Sequence, residues 1–453
     1  MRRIAIIGGG ITGLAAAYEA LCLNARPILI EQDSQLGGVV RTETRDGCTL
    51  EGGPDSFLSA KPAALELIRE LGLASDVIGS NDASRVTYLV KNGRLVPLPD
   101  GLMMMVPTRI LPVALSPLLG WGTKIRMGLE YFRRPGADPA DRTVEEFVRE
   151  HYGQETVDYL AEPLLAGVYG GSVRELSVRS VLPRFVELEA KYGSLTRGVL
   201  AARAKTPAGE SAPLFQTLKG GLGQLTRELE RRIRPRAEVI TGTAETIQRE
   251  AEAWKIRVDG SWLEADAVLF ACPAWAAADV LRDAAPAVAR LLEPIAYSSS
   301  ITLSLVYRRE ACGRIPPGFG FLVPARERGT LVACTFTGAK FSHRVPDRLV
   351  VLRCFLGGTG GEHVLDLPGG EIIAQTRREL RALLGWDAEP EFHVLHRWRR
   401  AMAQYAVGHS ARMKELDAEL TRIPALALAG NGYDGIGIPD CIRTGRAAAR
   451  RLA

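Results

Sequence analysis

The residues with the clearest chemical purpose stand at the start of the chain. Gly8, Gly10 and Gly13 form a G-x-G-x-x-G run between the apolar stretch Ile4-Ala5-Ile6-Ile7 and the alanine-rich stretch Leu14-Ala15-Ala16-Ala17. Binding a pyrophosphate calls for this spacing. The first glycine permits a tight turn, the second lets backbone approach the phosphates, and the third lets helix and strand pack closely. The first turn of the helix then offers its unpaired N–H groups and the positive end of its dipole. Glu31 closes a second apolar stretch, Pro27-Ile28-Leu29-Ile30, about 20 residues on, where a carboxylate takes a ribose hydroxyl pair. A glycine turn serving only to join a core strand to a core helix would leave that acid unexplained.

These residues need a buried parallel strand, a tight turn, a helix and a second parallel strand to hold them, which is the start of a doubly wound α/β sheet. Further runs extend the cradle. Gln35-Leu36-Gly37-Gly38-Val39-Val40-Arg41 carries the GGxxR pattern of two-domain flavoproteins, with Arg41 near a pyrophosphate or a flavin. Gly53-Pro54-Asp55-Ser56 is a turn that brings backbone close to a planar ligand, although Asp55 alone also suits a surface loop. Asn92-Gly93 between short apolar runs predicts a hairpin over residues 87–97. Helical periods follow from about residue 107 to 200, including Thr143-x-x-Glu146 as a cap and residues 157–165. A polar loop at residues 204–210 is a candidate boundary.

Beyond it, Lys219-Gly220-Gly221-Leu222-Gly223 leads into an amphipathic helix, and Glu238-Val239-Ile240-Thr241 reads as a buried strand. Residues 265–273 form another apolar strand, and Val306-Tyr307, residues 331–337 and residues 350–356 read as strands of a separate sheet. The chain closes with a glycine-ended strand at residues 425–432 and a basic helix opened by Pro439. That helix is either a plain capping helix or one whose N-terminus stabilises a reduced flavin at its N1/O2 edge.

Composition narrows the alternatives. The 453 residues are too many for one core and suggest about three domains. With 46% hydrophobic and 24% charged residues and a mean hydropathy of +0.02, the chain is of ordinary globular type. Lys and Arg number 57 against 52 Asp and Glu, too even a balance for a nucleic-acid binder. Seven cysteines are scattered without a CxxC, which points to a reducing cytoplasm. Six histidines show no metal-ligand spacing, and the nearest pair, His393 and His396, reads as a strand edged by water. P-loop and nucleophile-elbow motifs are absent, so phosphoryl transfer and serine hydrolysis lose support. No apolar run approaches the ~20 residues that span a bilayer. The nearest, residues 110–121, is broken by Pro112 and Pro117 and reads as buried or linker, with peripheral membrane contact as the alternative.

Over essentially its whole length the chain resembles the FAD-dependent protoporphyrinogen and coproporphyrinogen oxidases of the flavin amine-oxidase superfamily. The resemblance is carried by Gly8-Gly9-Gly10-Ile11-Thr12-Gly13, Gly53-Pro54-Asp55-Ser56-Phe57-Leu58, Glu162-Pro163-Leu164-Leu165-Ala166-Gly167-Val168-Tyr169-Gly170-Gly171, Gln404-Tyr405-Ala406-Val407-Gly408-His409 and Gly435-Ile436-Gly437-Ile438-Pro439-Asp440-Cys441-Ile442. The terminal Gly-Ile-Pro-Asp-Cys-Ile looks more like the coproporphyrinogen group than the protoporphyrinogen group.

The resemblance implies an α/β fold, α+β overall: a Rossmann-like FAD-binding domain (1–82, 212–285 and 424–453), a sheet-based substrate domain (83–107 and 286–423) and an inserted helical domain (108–211). It implies FAD contacts at Gly8, Gly9, Gly10, Ile11, Thr12, Gly13, Glu31, Gln32, Arg41, Gly53, Pro54, Asp55, Ser56, Val239, Trp398, Ile436, Gly437 and Ile438, and no metal. Lys61 matches an active-site lysine of the coproporphyrinogen group, or is an exposed lysine before Pro62 at a helix start. Phe355 stands where some members have a tyrosine, and Met103 where certain protoporphyrinogen oxidases have a substrate-binding arginine. The implied activity is O2-linked oxidation of coproporphyrinogen III to coproporphyrin III, with protoporphyrinogen IX as the alternative substrate. The rivals are another flavin amine oxidase and a non-enzymatic binder of the same fold. Location is then cytoplasmic or peripheral at the membrane's inner face; a monomer or homodimer and a transient ferrochelatase contact both stay open.

Overall fold

The computed structural model describes residues 1–136, 140–204 and 213–453. Residues 205–210 of the candidate boundary loop lie outside the described residues. The chain folds into two compact units, the first comprising Met1–Ser80, Ala212–Tyr297 and Ala411–Ala453, the second Asn81–Ser211 and Ser298–Ser410.

The first unit is built on a five-stranded sheet in the spatial order Glu238–Thr241, Arg26–Glu31, Arg3–Ile7, Ala267–Phe270, Leu426–Leu428, and every pairing is parallel. In chain order this is 3-2-1-4-5, so the direction of winding reverses beside Arg3–Ile7, where doubly wound folds take their ligands. Ile4, Ala5 and Ile6 are completely buried because helices and a further sheet cover both faces. On one face lies the helix Ile11–Cys22, nearly all buried. The C-terminal helix Ile438–Leu452 crosses it so closely that a Cβ on Gly445 would stand 2.4 Å from the Thr12 carbonyl oxygen. Arg446 ties the two together through Glu19 at 2.5 Å, and joins them to the helix Ala63–Glu70 through Glu70 at 2.9 Å. The other face is covered by Ala244–Glu250, Ala253–Val258 and Ser261–Ala265, whose Ile247, Trp254 and Ile256 join the core. Glu238–Thr241 is the outermost strand and only half-buried, rather than the buried strand its sequence suggested. An outermost strand has a neighbour on one side alone, so its apolar residues pack less deeply.

The second unit is built on a seven-stranded sheet in the order Phe392–Ala403, Tyr297–Arg308, Leu349–Gly357, Leu331–Phe336, Gly320–Leu322, Thr87–Lys91, Arg94–Pro97. The last two strands form the expected hairpin. Asn92 and Gly93 both take positive φ, +51° and +70°, as a tight primed turn requires. One face of the sheet (Ile301, Leu303, Leu305, Cys354, Leu356) packs on Ile372 and Leu380 of the helix Gly369–Leu384. The alternate residues Thr302, Ser304 and Arg353 are polar and buried. Among the helices of this unit, Val144–Tyr152 starts with the expected capping box between Thr143 and Glu146. The stretch from residue 157 is helical, but Val157–Ala161 is a π turn before Glu162–Tyr169. Pro163 has no N–H to donate, which favours a wider turn before it.

Residues 110–121 are not buried. They contain the short helix Ile110–Leu115, in which Ile110, Leu111 and Leu115 are 86%, 68% and 74% exposed. Only Val113, Leu118 and Leu119 in this stretch face inward, because Pro112 and Pro117 limit it to little more than one turn.

A charged cluster is sealed inside the helical part. Glu130, whose side chain is inaccessible to solvent, accepts from Leu195 N at 2.6 Å, Ser194 Oγ at 2.9 Å and Thr196 N at 3.2 Å. His151 bridges it to Glu189, with Nδ1 2.8 Å from Glu130 Oε1 and Nε2 3.0 Å from Glu189 Oε1. Arg142 adds a bond to Glu189 at 2.7 Å. Each imidazole nitrogen thus lies within hydrogen-bond distance of a carboxylate. Burial raises the Glu130 pKa, but the hydrogen bonds from His151, Thr196 and Leu195 outweigh it and bring the group from 4.5 down to about 2. A depressed carboxyl stabilises the fold above its unfolded value and loses that contribution as pH falls toward the folded one. The shift corresponds to about 3 kcal/mol. We therefore expect the melting temperature to fall as pH drops from about 4.5 toward 2. Glu130→Gln should be less stable by about 3 kcal/mol at neutral pH and show a flatter acid limb. An equal acid limb in both proteins, measured by thermal melting, would contradict this.

Candidate active site: a dinucleotide cradle with a lysine–aspartate pair

Three pieces of the first unit meet at the carboxyl end of Arg3–Ile7. Two of the three cradle glycines are forced by packing. Gly8 has φ +109°, and a Cβ there would stand 2.8 Å from the Ala271 carbonyl carbon and oxygen; a Cβ on Gly13 would stand 1.9 Å from the Gly8 oxygen. Gly10 is different. Its backbone is extended, at φ −67° and ψ −177°, and a Cβ would meet nothing within 4 Å. Neither strain nor packing asks for glycine at this position, so the space above it is room for a ligand. Gly10 has no side chain to cap the helix Ile11–Cys22, and among the described residues no side-chain acceptor is bonded to the first-turn N–H groups of Ile11 and Thr12.

Glu31 sits beside this turn. Its Oε2 accepts from Gly9 N at 2.6 Å and its Oε1 from Asp33 N at 3.0 Å, with lone pairs left on both oxygens for further donors. Gln32 follows at the exposed strand end. Gly37 and Gly38 lie against the turn, with Gly37 N donating to Gly9 O at 2.9 Å. A Cβ on Gly38, which has φ +57°, would approach Gly10 Cα to 3.2 Å. The Arg41 guanidinium donates to Gln35 O at 3.1 Å and Leu36 O at 3.3 Å, which fixes it over this loop. Residues 53–56 run alongside, since Gly52 N bonds Arg41 O at 2.8 Å and a Cβ on Gly53 would stand 1.8 Å from Val39 O. Within them Ser56 Oγ donates to Asp55 Oδ1 at 2.6 Å; Pro54 precedes that pair. Val239 pairs with Leu29 on the outermost strand.

The third piece is residues 436–438, at the start of the C-terminal helix, whose N-terminus also lacks a side-chain cap. Here sequence reasoning missed a partner. Lys61 Nζ lies 2.6 Å from Asp440 Oδ2, the lysine side chain 46% exposed and the aspartate 9%. Asp440 is folded back toward Gly435, where a Cβ would stand 2.4 Å from the Asp440 Cγ. The Arg443 guanidinium is 3.8 Å from the other Asp440 oxygen. Burial pushes the adjacent Cys441 thiol up to about 11, so it packs rather than reacts. Trp398 belongs to the second unit, on Phe392–Ala403, where its ring stacks on His396 at 5.6 Å.

A second glycine-led helix shows what an occupied N-terminus looks like. At Gly223–Ile233, Leu222 N donates to Glu51 Oε1 at 2.8 Å and Gly223 N to Thr42 Oγ at 2.8 Å. A carboxylate from within the chain already fills that end, and nothing local in the sequence announced it. The helix Ile11–Cys22 lacks any such guest, which is the arrangement a pyrophosphate requires. An open position over Gly10, uncapped N–H groups, an acid at the second strand end and a second uncapped helix at residue 438 fit FAD.

The comparisons agree with this geometry. Residues 11–453 match the flavin containing amine oxidoreductase family. The chain is 34% identical to the coproporphyrinogen III oxidase of Bacillus subtilis (strain 168), over 99% of this chain and 97% of that protein. It is 32% identical to the human protoporphyrinogen oxidase, over 99% and 98%. A crystal structure of an Exiguobacterium sp. 255-15 protein superposes with a TM-score of 0.88 at 31% identity, covering 99% of this chain and 98% of that one. The cyclohexylamine oxidase of Brevibacterium oxydans IH-35A, at 16% identity and a TM-score of 0.71 over 100% and 98%, shares the fold. The chain thus belongs to the flavin-containing amine oxidoreductases, in the branch of the porphyrinogen oxidases, and is an FAD-dependent oxidoreductase.

Proposed function

We propose that this enzyme oxidises coproporphyrinogen III to coproporphyrin III, a reaction of heme biosynthesis, with O2 as the terminal acceptor. The observation that carries the choice of substrate is the Lys61–Asp440 pair, set beside the Gly-Ile-Pro-Asp-Cys run at the head of the C-terminal helix. Identity alone does not discriminate, since relatives of both substrate classes stand at 34% and 32%. When bound, FAD accepts hydride from the methylene carbons of the macrocycle and passes the electrons to O2, giving peroxide.

The chain's own residues have positioning tasks. Residues 8–13 hold the pyrophosphate by backbone N–H groups, Glu31 takes the ribose hydroxyls, and Arg41 with residues 53–56 walls the cradle. Residues 436–438 direct N–H groups and a helix dipole toward the cofactor's ring, where negative charge develops on reduction. Lys61 offers a cation to a substrate carboxylate, and Asp440 holds its Nζ in one place. Coproporphyrinogen carries twice as many propionates as protoporphyrinogen, so a fixed ammonium favours it. Phe355, on Leu349–Gly357, has no hydroxyl to join in proton transfer. The location that fits is a reducing cytoplasm, supported by seven cysteines with no disulfide among them, with peripheral contact at the membrane's inner face. Fluorometric assay with both porphyrinogens tests the substrate. We expect the higher kcat/KM with coproporphyrinogen III; faster turnover of protoporphyrinogen IX would overturn the choice.

A further inference from the structure

Arg41 and residues 53–56 wall the cradle, and neither belongs to the five-stranded sheet. They are the two flanks of one hairpin. Its strands Thr42–Arg45 and Cys48–Glu51 run antiparallel with Thr42 opposite Glu51 at the open end, where Gly52 N bonds Arg41 O. Directly opposed residues share a face. Thr42 Oγ1 accordingly donates to Glu51 Oε2 at 2.5 Å, and both side chains turn to the glycine-rich run before Gly223–Ile233. There Leu222 N donates to Glu51 Oε1 and Gly223 N to Thr42 Oγ1, each at 2.8 Å. The fit is close: a Cβ on Gly221, which has φ +80°, would stand 2.3 Å from Thr42 Cγ2 and 2.9 Å from Glu51 Oε1.

The same segment holds the rest of the wall. A Cβ on Gly37 would stand 3.3 Å from Thr226 Oγ1, in the first turn of that helix. Phe57–Leu58, directly after Ser56, pairs with Gln216 and Phe215 of the strand Phe215–Leu218. Leu225, Leu229 and Ile233 fix the helix itself in the same core as Leu14 and Leu29. Among these ties the Glu51 carboxylate, 3% exposed, makes the charge-assisted bonds, at the positive end of a helix. A helix start can be satisfied by its own capping residue, as Thr143 does for Val144–Tyr152. Here the acceptors sit on the wall hairpin instead, so capping the helix and placing the wall are one event.

We infer that Glu51, with Thr42, is a positioning residue for FAD, clamping the wall hairpin to Gly223–Ile233 and acting on the cofactor through Arg41 and residues 53–56. The inference rests on the reading that those residues wall the cradle. Glu51→Gln keeps the shape but loses one of the two bonds whichever way its amide is turned, because the amide nitrogen accepts nothing. The full chain, stripped of FAD and titrated with it, should bind FAD about tenfold more weakly as Glu51→Gln or Thr42→Val. At saturating FAD the visible circular dichroism of the bound flavin should change in both, which a loss of stability alone would not cause. Thr42→Ser, which restores the hydroxyl, should recover the affinity and the spectrum. Unaltered affinity and dichroism in Glu51→Gln and Thr42→Val overturn the inference. If Glu51→Gln does not fold, Thr42→Val decides alone, and equal values in Thr42→Val and Thr42→Ser overturn it. Gly10→Val separates the clamp from the cradle. FAD weakened there but retained by the clamp variants removes the clamp alone, whereas FAD retained by all of them removes the cradle reading beneath it.

Discussion

Gly10→Val will give a protein that folds and melts like the unaltered apoprotein yet holds FAD at least about a hundredfold more weakly, a loss of about 2.7 kcal/mol. The expectation rests on the contrast among the three cradle glycines. At Gly13 an added Cβ collides with the Gly8 oxygen at 1.9 Å, backbone against backbone, so Gly13→Ala damages the fold and says little about the ligand. At Gly10 the extended backbone accepts a β-branched residue, and the side chain projects into space that no protein atom occupies within 4 Å. Only a group lying there during function would notice it. Flavin titration followed by fluorescence measures the affinity, and a melting curve of the apoprotein reports folding. Undiminished affinity in a folded Gly10→Val protein would place the cofactor elsewhere.

The second large effect concerns Lys61. Lys61→Met should lower kcat/KM for coproporphyrinogen III by about ten- to a hundredfold, or about 1.4–2.7 kcal/mol, with FAD content unchanged. Protoporphyrinogen IX, with fewer carboxylates, should be affected less. Because the lysine is held at 2.6 Å by Asp440, Asp440→Asn should lower turnover of the same substrate through loss of that hold. The double variant should then be little worse than Lys61→Met alone, as expected for residues that act as one unit. Full additivity would mean that Asp440 has a separate task. Wild-type kinetics in Lys61→Met would return this lysine to the status of an ordinary surface residue before Pro62.

How much of this was legible in the sequence depended on whether the cause was local. The turn after Arg3–Ile7, the Asn92-Gly93 hairpin and the Thr143–Glu146 capping box are set by residues within a few positions of one another, and the sequence displays them directly. The Lys61–Asp440 pair joins residues 379 positions apart, and the capping of Gly223–Ile233 by Thr42 and Glu51 spans more than 170. No periodicity signals such partners. The half-exposed strand Glu238–Thr241 shows a different limit. Its apolar residues are those of an inner strand, and only its place at the sheet's end decides otherwise. The exposed Ile110, Leu111 and Leu115 show the same limit in reverse, since hydropathy records that residues are apolar without recording whether anything covers them.

Whether the cradle at residues 8–13 serves a cofactor that takes hydrogen from a cyclic tetrapyrrole is decided by anaerobic titration of the purified, FAD-loaded protein with coproporphyrinogen III. The visible flavin absorbance should bleach as porphyrin fluorescence rises, and air should restore the colour. Absorbance that stays unchanged under coproporphyrinogen III, or that bleaches with a simple amine instead, would contradict it.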